Sequence, residues 1–128
     1  MVSGNIQNAN STFLRESTVM KIHYITGLGA LFVVAVHVMM RLVVPFSTSL
    51  EYENVINNYR ILWYALLLEI ILVLISIHGF NGLRIMLIEL RQNAMWEKFV
   101  TIFTLAAMLA VIGYGTRTII IVNGLYLG

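Results

Sequence analysis

The chain has no cysteine, a single proline, and charged side chains at only 11% of its 128 positions. Without cysteine there is no disulfide framework and no thiolate site for zinc or an iron–sulfur cluster, so a metal would need His, Met or carboxylate ligands. Soluble domains carry about 25% charged residues. A chain with 11% charge, 59% hydrophobic residues and a mean hydropathy of +0.86 is an integral membrane protein. The net charge of +2 is small and scattered, which argues against a nucleic-acid stripe or a polybasic lipid anchor. The segment from Met1 to Ser17 is polar, rich in Asn and Ser, and lacks the apolar core of a signal peptide. The first hydrophobic run therefore reads as a retained membrane span.

What the sequence does contain is three apolar runs, near 22–46, 61–88 and 99–125. Each supplies the roughly 20 helical residues that cross a hydrocarbon core of about 30 Å. Helices are expected because lipid offers no partner for open backbone groups, and no strand-like alternation is present. The expected fold is an all-α membrane protein with a polar cytoplasmic segment over 1–21 and a single three-helix domain over 22–128. Three small helices can hardly enclose the polar groups found at membrane depth, so the domain reads as half of a bundle completed by partner helices. Pro45 ends the first helix, residues 47–60 form a polar loop with Asn54 to Asn58 solvated, and residues 91–98 form a charged turn. Arg15, Lys21, Arg84, Arg91 and Lys98 lie on one side, against Arg41, Arg60 and Arg117 on the other. That excess places the N-terminus in the cytoplasm, and Trp63, Tyr64, Trp96 and Tyr126 fall near helix ends as interfacial aromatics.

Three histidines stand in or beside these runs, and an ionisable residue inside a span is a functional candidate by default. His37 lies on a helical stripe with His23, Thr26, Ala30, Val34 and Arg41. His78 shares a face with Leu74, Gly82, Ile85 and Glu89. Gly82 leaves room beside that imidazole, and Arg84 can reach a propionate or quinone oxygen at the inner interface. Ligation of a haem iron is the reading for His78 and His37, with an interhelical hydrogen bond as the alternative for each and a proton relay as a third for His37. His23, beside Lys21 and Tyr24 at the water interface, would alone be a surface histidine; its stripe gives it a role near bound haem or quinone. Arg41 is a propionate partner or a snorkelling interfacial arginine. Glu69, nine residues before His78 and so on the opposite face, is expected to pair with Arg117 or to relay protons. Met39, Met40 and Met86 read as packing.

The pattern His78-x3-Gly82-Leu83-Arg84-x4-Glu89 resembles the second-helix motif of the cytochrome b anchor subunits of succinate dehydrogenase and fumarate reductase, complex II. His23-Tyr24-Ile25-Thr26-Gly27 resembles the His-Arg-Ile/Val-Ser/Thr-Gly start of their first helix. Tyr24 replaces the arginine, Met20 the preceding serine, and Ile85 a second histidine that often follows Arg84; Ser17 and Lys21 are expected to substitute in the quinone contacts. The resemblance implies haem b and a quinone, with Ser17, Lys21, Tyr24 and Glu89 near the quinone or the inner haem edge. His37 is additional to the one-haem pattern and points to the two-haem type, common among archaea and some bacteria. There His37 would ligate the outer haem and His78 the inner, with the other ligands from a second anchor subunit.

If Arg84 marks the inner interface, the two levels differ by roughly 12 Å at 1.5 Å per residue. If Arg91 does, they nearly coincide and one haem could sit between His37 and His78. The implied partners are that second anchor, an iron–sulfur subunit, a flavoprotein subunit and the lipid bilayer, in the cytoplasmic membrane of a prokaryote. The chain would pass electrons between the iron–sulfur subunit and quinone and supply no catalytic residue of its own. Rival readings are a b-type cytochrome of another quinone-linked dehydrogenase, a haem-free proton-coupled transporter using Glu69, and a haem-free assembly or anchor subunit.

Overall fold

The computed structural model describes residues 2–124, with side chains from residue 17 onward. The elements are α1 (Val2–Leu42), α2 (Phe46–Ser49), α3 (Tyr52–Arg60), α4 (Leu62–Leu90) and α5 (Ala94–Asn123). Among the described residues there is no strand. Three segments are long and apolar enough to cross a membrane: Ser17–Leu42, Leu62–Leu90 and Ala94–Asn123.

The helix ends follow from local chemistry. α1 runs unbroken from the polar N-terminal segment into the first span, so the boundary expected near residue 22 is one of composition and not of conformation. It stops at Leu42, four residues earlier than expected, because Pro45 biases the residue before it away from helix. Pro45, at φ −49°, instead caps α2. α5 begins five residues before the expected start because Asn93 caps it, accepting the Met95 amide at 3.0 Å. It ends where Gly124 turns left-handed at φ 78°. The expected end at residue 125, and Tyr126, lie outside the described residues.

The polar loop expected over 47–60 is two short helices. Val55, Ile56 and Tyr59 fall at helical spacing and are half-buried, while Glu53, Asn57 and Arg60 are exposed, so α3 is amphipathic. The Asn54 side chain, expected to be solvated, donates to the Thr48 carbonyl at 2.8 Å, and Asn123 of α5 reaches back to the Tyr59 carbonyl at 2.7 Å.

α4 lies in the middle, packed on α1 along one flank and on α5 along another, and the backbones of α1 and α5 stay apart among the described residues. Helices in lipid gain little from hydrophobic burial against each other and associate through small residues and hydroxyls. The seams fit that rule: Thr26, Ala30, Ser76 and Thr104 are buried. The Thr26 and Thr104 hydroxyls are satisfied within their own helices, by Ile22 and Val100 carbonyls at 2.6 and 2.8 Å. Gly29 receives Leu74 across the α1–α4 seam, and Gly115 receives Leu72 across the α4–α5 seam. Large apolar side chains such as Phe32, Trp63 and Met86 point away from the seams, between 65% and 79% exposed, toward lipid or partner helices.

Because the natural chain has no cysteine, single substitutions report topology cleanly. Asn57→Cys on α3 and Gln92→Cys in the α4–α5 turn should label with a membrane-impermeant maleimide from opposite sides of sealed vesicles. Labelling of both from one side would contradict the three spans.

Candidate functional site

The histidine stripe of α1 is the face that meets α4. Thr26 and Ala30 on it are buried, and His23, Val34, His37 and Arg41 are half-buried. On α4 the face of Leu74, His78 and Gly82 meets it. The two sequences His23-x3-Gly27 and His78-x3-Gly82 then interlock reciprocally. A Cβ added to Gly27 would lie 2.7 Å from Cε1 of His78, and one added to Gly82 would lie 3.2 Å from Cε1 of His23. Each imidazole occupies the gap left by the other helix's glycine. The two rings stack at 4.1 Å between centroids, with 14° between their planes. The space at Gly82, expected beside His78, is thus filled by His23, and Gly27 makes the room for His78.

The crossing also selects a tautomer. Nδ1 of His78 lies 2.9 Å from the His23 carbonyl oxygen. A carbonyl only accepts, so Nδ1 carries the proton and Nε2 of the neutral ring keeps its lone pair. Metal-bound histidines typically show this arrangement, with one nitrogen donating to a carbonyl or carboxylate and the other left to the metal. The residues therefore fit a group that takes one imidazole from this chain. Among the described residues no three His, Asp or Glu side chains converge on a point that could hold a metal ion. A metal bound here would carry most of its ligands with it, as a porphyrin iron does.

His37 lies at another level. The His78 ring packs at Gly27, ten residues before His37, which is roughly 15 Å along the helix at 1.5 Å per residue. The two rings therefore stand at different levels along the α1–α4 seam. The His37 ring sits 5.7 Å from that of Tyr64, and its Nδ1 is buried without a partner. One turn on, Arg41 donates to the Ser49 carbonyl at 2.7 Å and lies over the Tyr64 ring at 5.6 Å.

The remaining candidates divide between two ends. Arg84 faces α5: its Nε donates to the Thr101 hydroxyl at 2.9 Å, and a guanidinium nitrogen lies 3.8 Å from Glu97. It also lines a cavity of about 320 Å³ with Met20, Ile85, Glu89 and Glu97. That cavity gathers two of the residues expected near quinone, Arg84 and Glu89. Tyr24 is 68% exposed and meets His23 only edge-on, with centroids 6.1 Å apart. Lys21 is exposed and Ser17 half-buried, and neither lines that cavity. Asn81, not singled out in the sequence, holds α4 to α1 by donating to the Val19 carbonyl at 3.3 Å.

Glu69 does not pair with Arg117. Its carboxylate accepts the Thr116 hydroxyl at 2.6 Å, and Arg117, one residue further around α5, is exposed beside Gly113. Successive helical residues point about 100° apart, so a seam that takes Thr116 turns Arg117 away. Gly27 and Thr116, like Asn81, were left without a site role by sequence reasoning. The repeat of His-x3-Gly on both helices was the available signal for the first, and nothing marked the second.

Two outcomes test this packing in detergent. Gly27→Ala should cost about 1–3 kcal/mol by overpacking against a ring held on its other side. Gly79→Ala, where an added Cβ meets nothing within 4 Å, should be neutral or slightly stabilising, and equal melting curves for the two would contradict the interlock. Glu69→Gln keeps an acceptor oxygen for Thr116 and should shift stability by less than about 1 kcal/mol, whereas Thr116→Val strands the carboxylate and should cost about 1–3 kcal/mol. Equal losses from the two would argue against the hydrogen bond.

Comparison with known proteins bears on one family. The family described as succinate dehydrogenase/fumarate reductase transmembrane subunit matches residues 10–113, spanning α1 to most of α5. No match is found among curated proteins or among solved structures.

Proposed function

The chain belongs to the transmembrane-subunit family of succinate dehydrogenase and fumarate reductase, and from that premise we propose that it is a haem b-binding anchor passing electrons between an iron–sulfur subunit and membrane quinone. The observation that carries the proposal is the His78–His23 contact, which fixes the His78 tautomer and leaves Nε2 as the donor. His78 would hold the iron of an inner haem and His37 that of an outer haem, the separation of their levels supporting two groups rather than one. A second anchor subunit supplies the opposing ligands. The α1 and α5 faces turned away from α4, unpaired within this chain among the described residues, are where its helices would pack.

Haem iron with two imidazole ligands supplies one-electron transfer and leaves no position open for oxygen. The protein side of the work is positioning. Gly27 admits the His78 ring, the His23 carbonyl orients it, and Asn81 and the stacked His23 ring hold α1 and α4 in register. Arg84 and Glu89 line the cavity at the inner end, where the iron–sulfur subunit docks and a quinone head would lie. The dehydrogenation or its reverse takes place on the flavoprotein subunit, and the N-terminus lies in the cytoplasm of a prokaryotic cell. The transporter reading depends on Glu69 serving a proton path; its hydrogen bond to Thr116 supports a packing role for it.

In the purified complex, His78→Ala should remove one haem while the flavoprotein and iron–sulfur subunits still co-purify. Unchanged haem content and spectrum would sink the assignment.

A further inference from the structure

At the α3 end of the domain a cavity of about 410 Å³ opens between α1, α3 and the start of α4. Its polar wall is Arg41, Ser49, Asn54, Asn57, Asn58 and Tyr64, and neither Asp nor Glu lines it. Several of its donors are engaged, Asn54 on the Thr48 carbonyl and Ser49 on the Phe46 carbonyl, but no anionic group of the wall faces Arg41. The Arg41 guanidinium carries five N–H groups in a fixed fork, and among the described residues its one hydrogen bond is to the Ser49 carbonyl. Tyr64 is 5% exposed, and its buried hydroxyl finds no acceptor for its proton. The polar group beside its ring is that same guanidinium, which cannot accept the phenolic proton. A buried donor left unpaired is costly, and the half-buried Arg41 cation has a carbonyl and an aromatic face beside it but no carboxylate. Both deficits call for an oxyanion.

The same corner holds His37, whose ring lies 5.7 Å from Tyr64 and whose Nδ1 is buried and unpartnered. Arg41 follows it by one helical turn. We propose that this cavity is a carboxylate site in which Arg41 and the Tyr64 hydroxyl donate to a propionate of the haem held by His37. The inference rests on the His37 ligation proposed above and adds the group that anchors the other end of that haem. Held by His37 at one point and by Arg41 and Tyr64 at another, the group would be fixed in orientation, which a single imidazole cannot do.

The test loads the whole complex, made in haem-deficient cells, with haem b or with haem b dimethyl ester, and reads occupancy from the absorption of the reduced protein. A charge-assisted contact should favour the free acid about tenfold at the haem that His37→Ala removes. Arg41→Gln should abolish that preference, and Tyr64→Phe, which keeps the ring and its packing, should weaken it severalfold. A full preference for the acid in both variants would overturn the carboxylate site. So would an unchanged preference with loss of co-purifying anionic phospholipid from Arg41→Gln, which would assign the cavity to a lipid phosphate. If His37→Ala retains every haem, the ligation reading itself fails, an outcome separate from the other two.

Discussion

The hydrogen bond from His78 to the His23 carbonyl depends on a backbone approach that most residues would forbid. It forms because Gly27 lets the imidazole of α4 come against the α1 backbone, where an added Cβ would sit 2.7 Å from the ring. Lipid supplies no competing water, so an imidazole N–H inside a span must find a protein acceptor or bear a cost of several kcal/mol. The helix crossing, the histidine tautomer and the free Nε2 are therefore one constraint seen from three sides. Changing the crossing changes which nitrogen of His78 is left unengaged.

The rest of the molecule is arranged around that seam. α4 is gripped from both flanks, by histidine–glycine interlocking on α1 and by Thr116–Glu69, Arg84–Thr101 and Leu72–Gly115 on α5. Each contact joins a small or hydroxyl-bearing residue to a larger partner, which is how helices adhere where hydrophobic burial offers little. At the far end, α3 folds back over the mouth of the α1–α4 seam and is tied to α5 by Asn123. That turns a loop into one wall of the Arg41–Tyr64 cavity.

Much of this was legible in the sequence, because apolar length and helical periodicity dominate in a membrane. The three spans, the stripe from His23 to Arg41 and its use as a packing face follow from periods of 3.6 residues and a core thickness of about 30 Å. The family was readable from His78-x3-Gly82-Leu83-Arg84 and His23-x3-Gly27, and the match over residues 10–113 agrees. What could not be read was the rotation of one helix against another. Whether Glu69 meets Thr116 or Arg117 is decided by about 100° of rotation, and whether Gly82 serves His78 or His23 by which ring reaches it first. α3 was hidden for a different reason: in a nine-residue helix Val55, Ile56 and Tyr59 among Asn and Glu look like a polar loop when composition alone is weighed.

The central claim is that one chain presents two imidazoles at two depths, each to its own iron. The most direct measurement is a redox titration of haem absorption in the purified wild-type complex, with haem counted against the iron–sulfur subunit. The account predicts two low-spin haems b per anchor pair with separable potentials. A single haem component, or a colourless preparation, would contradict it.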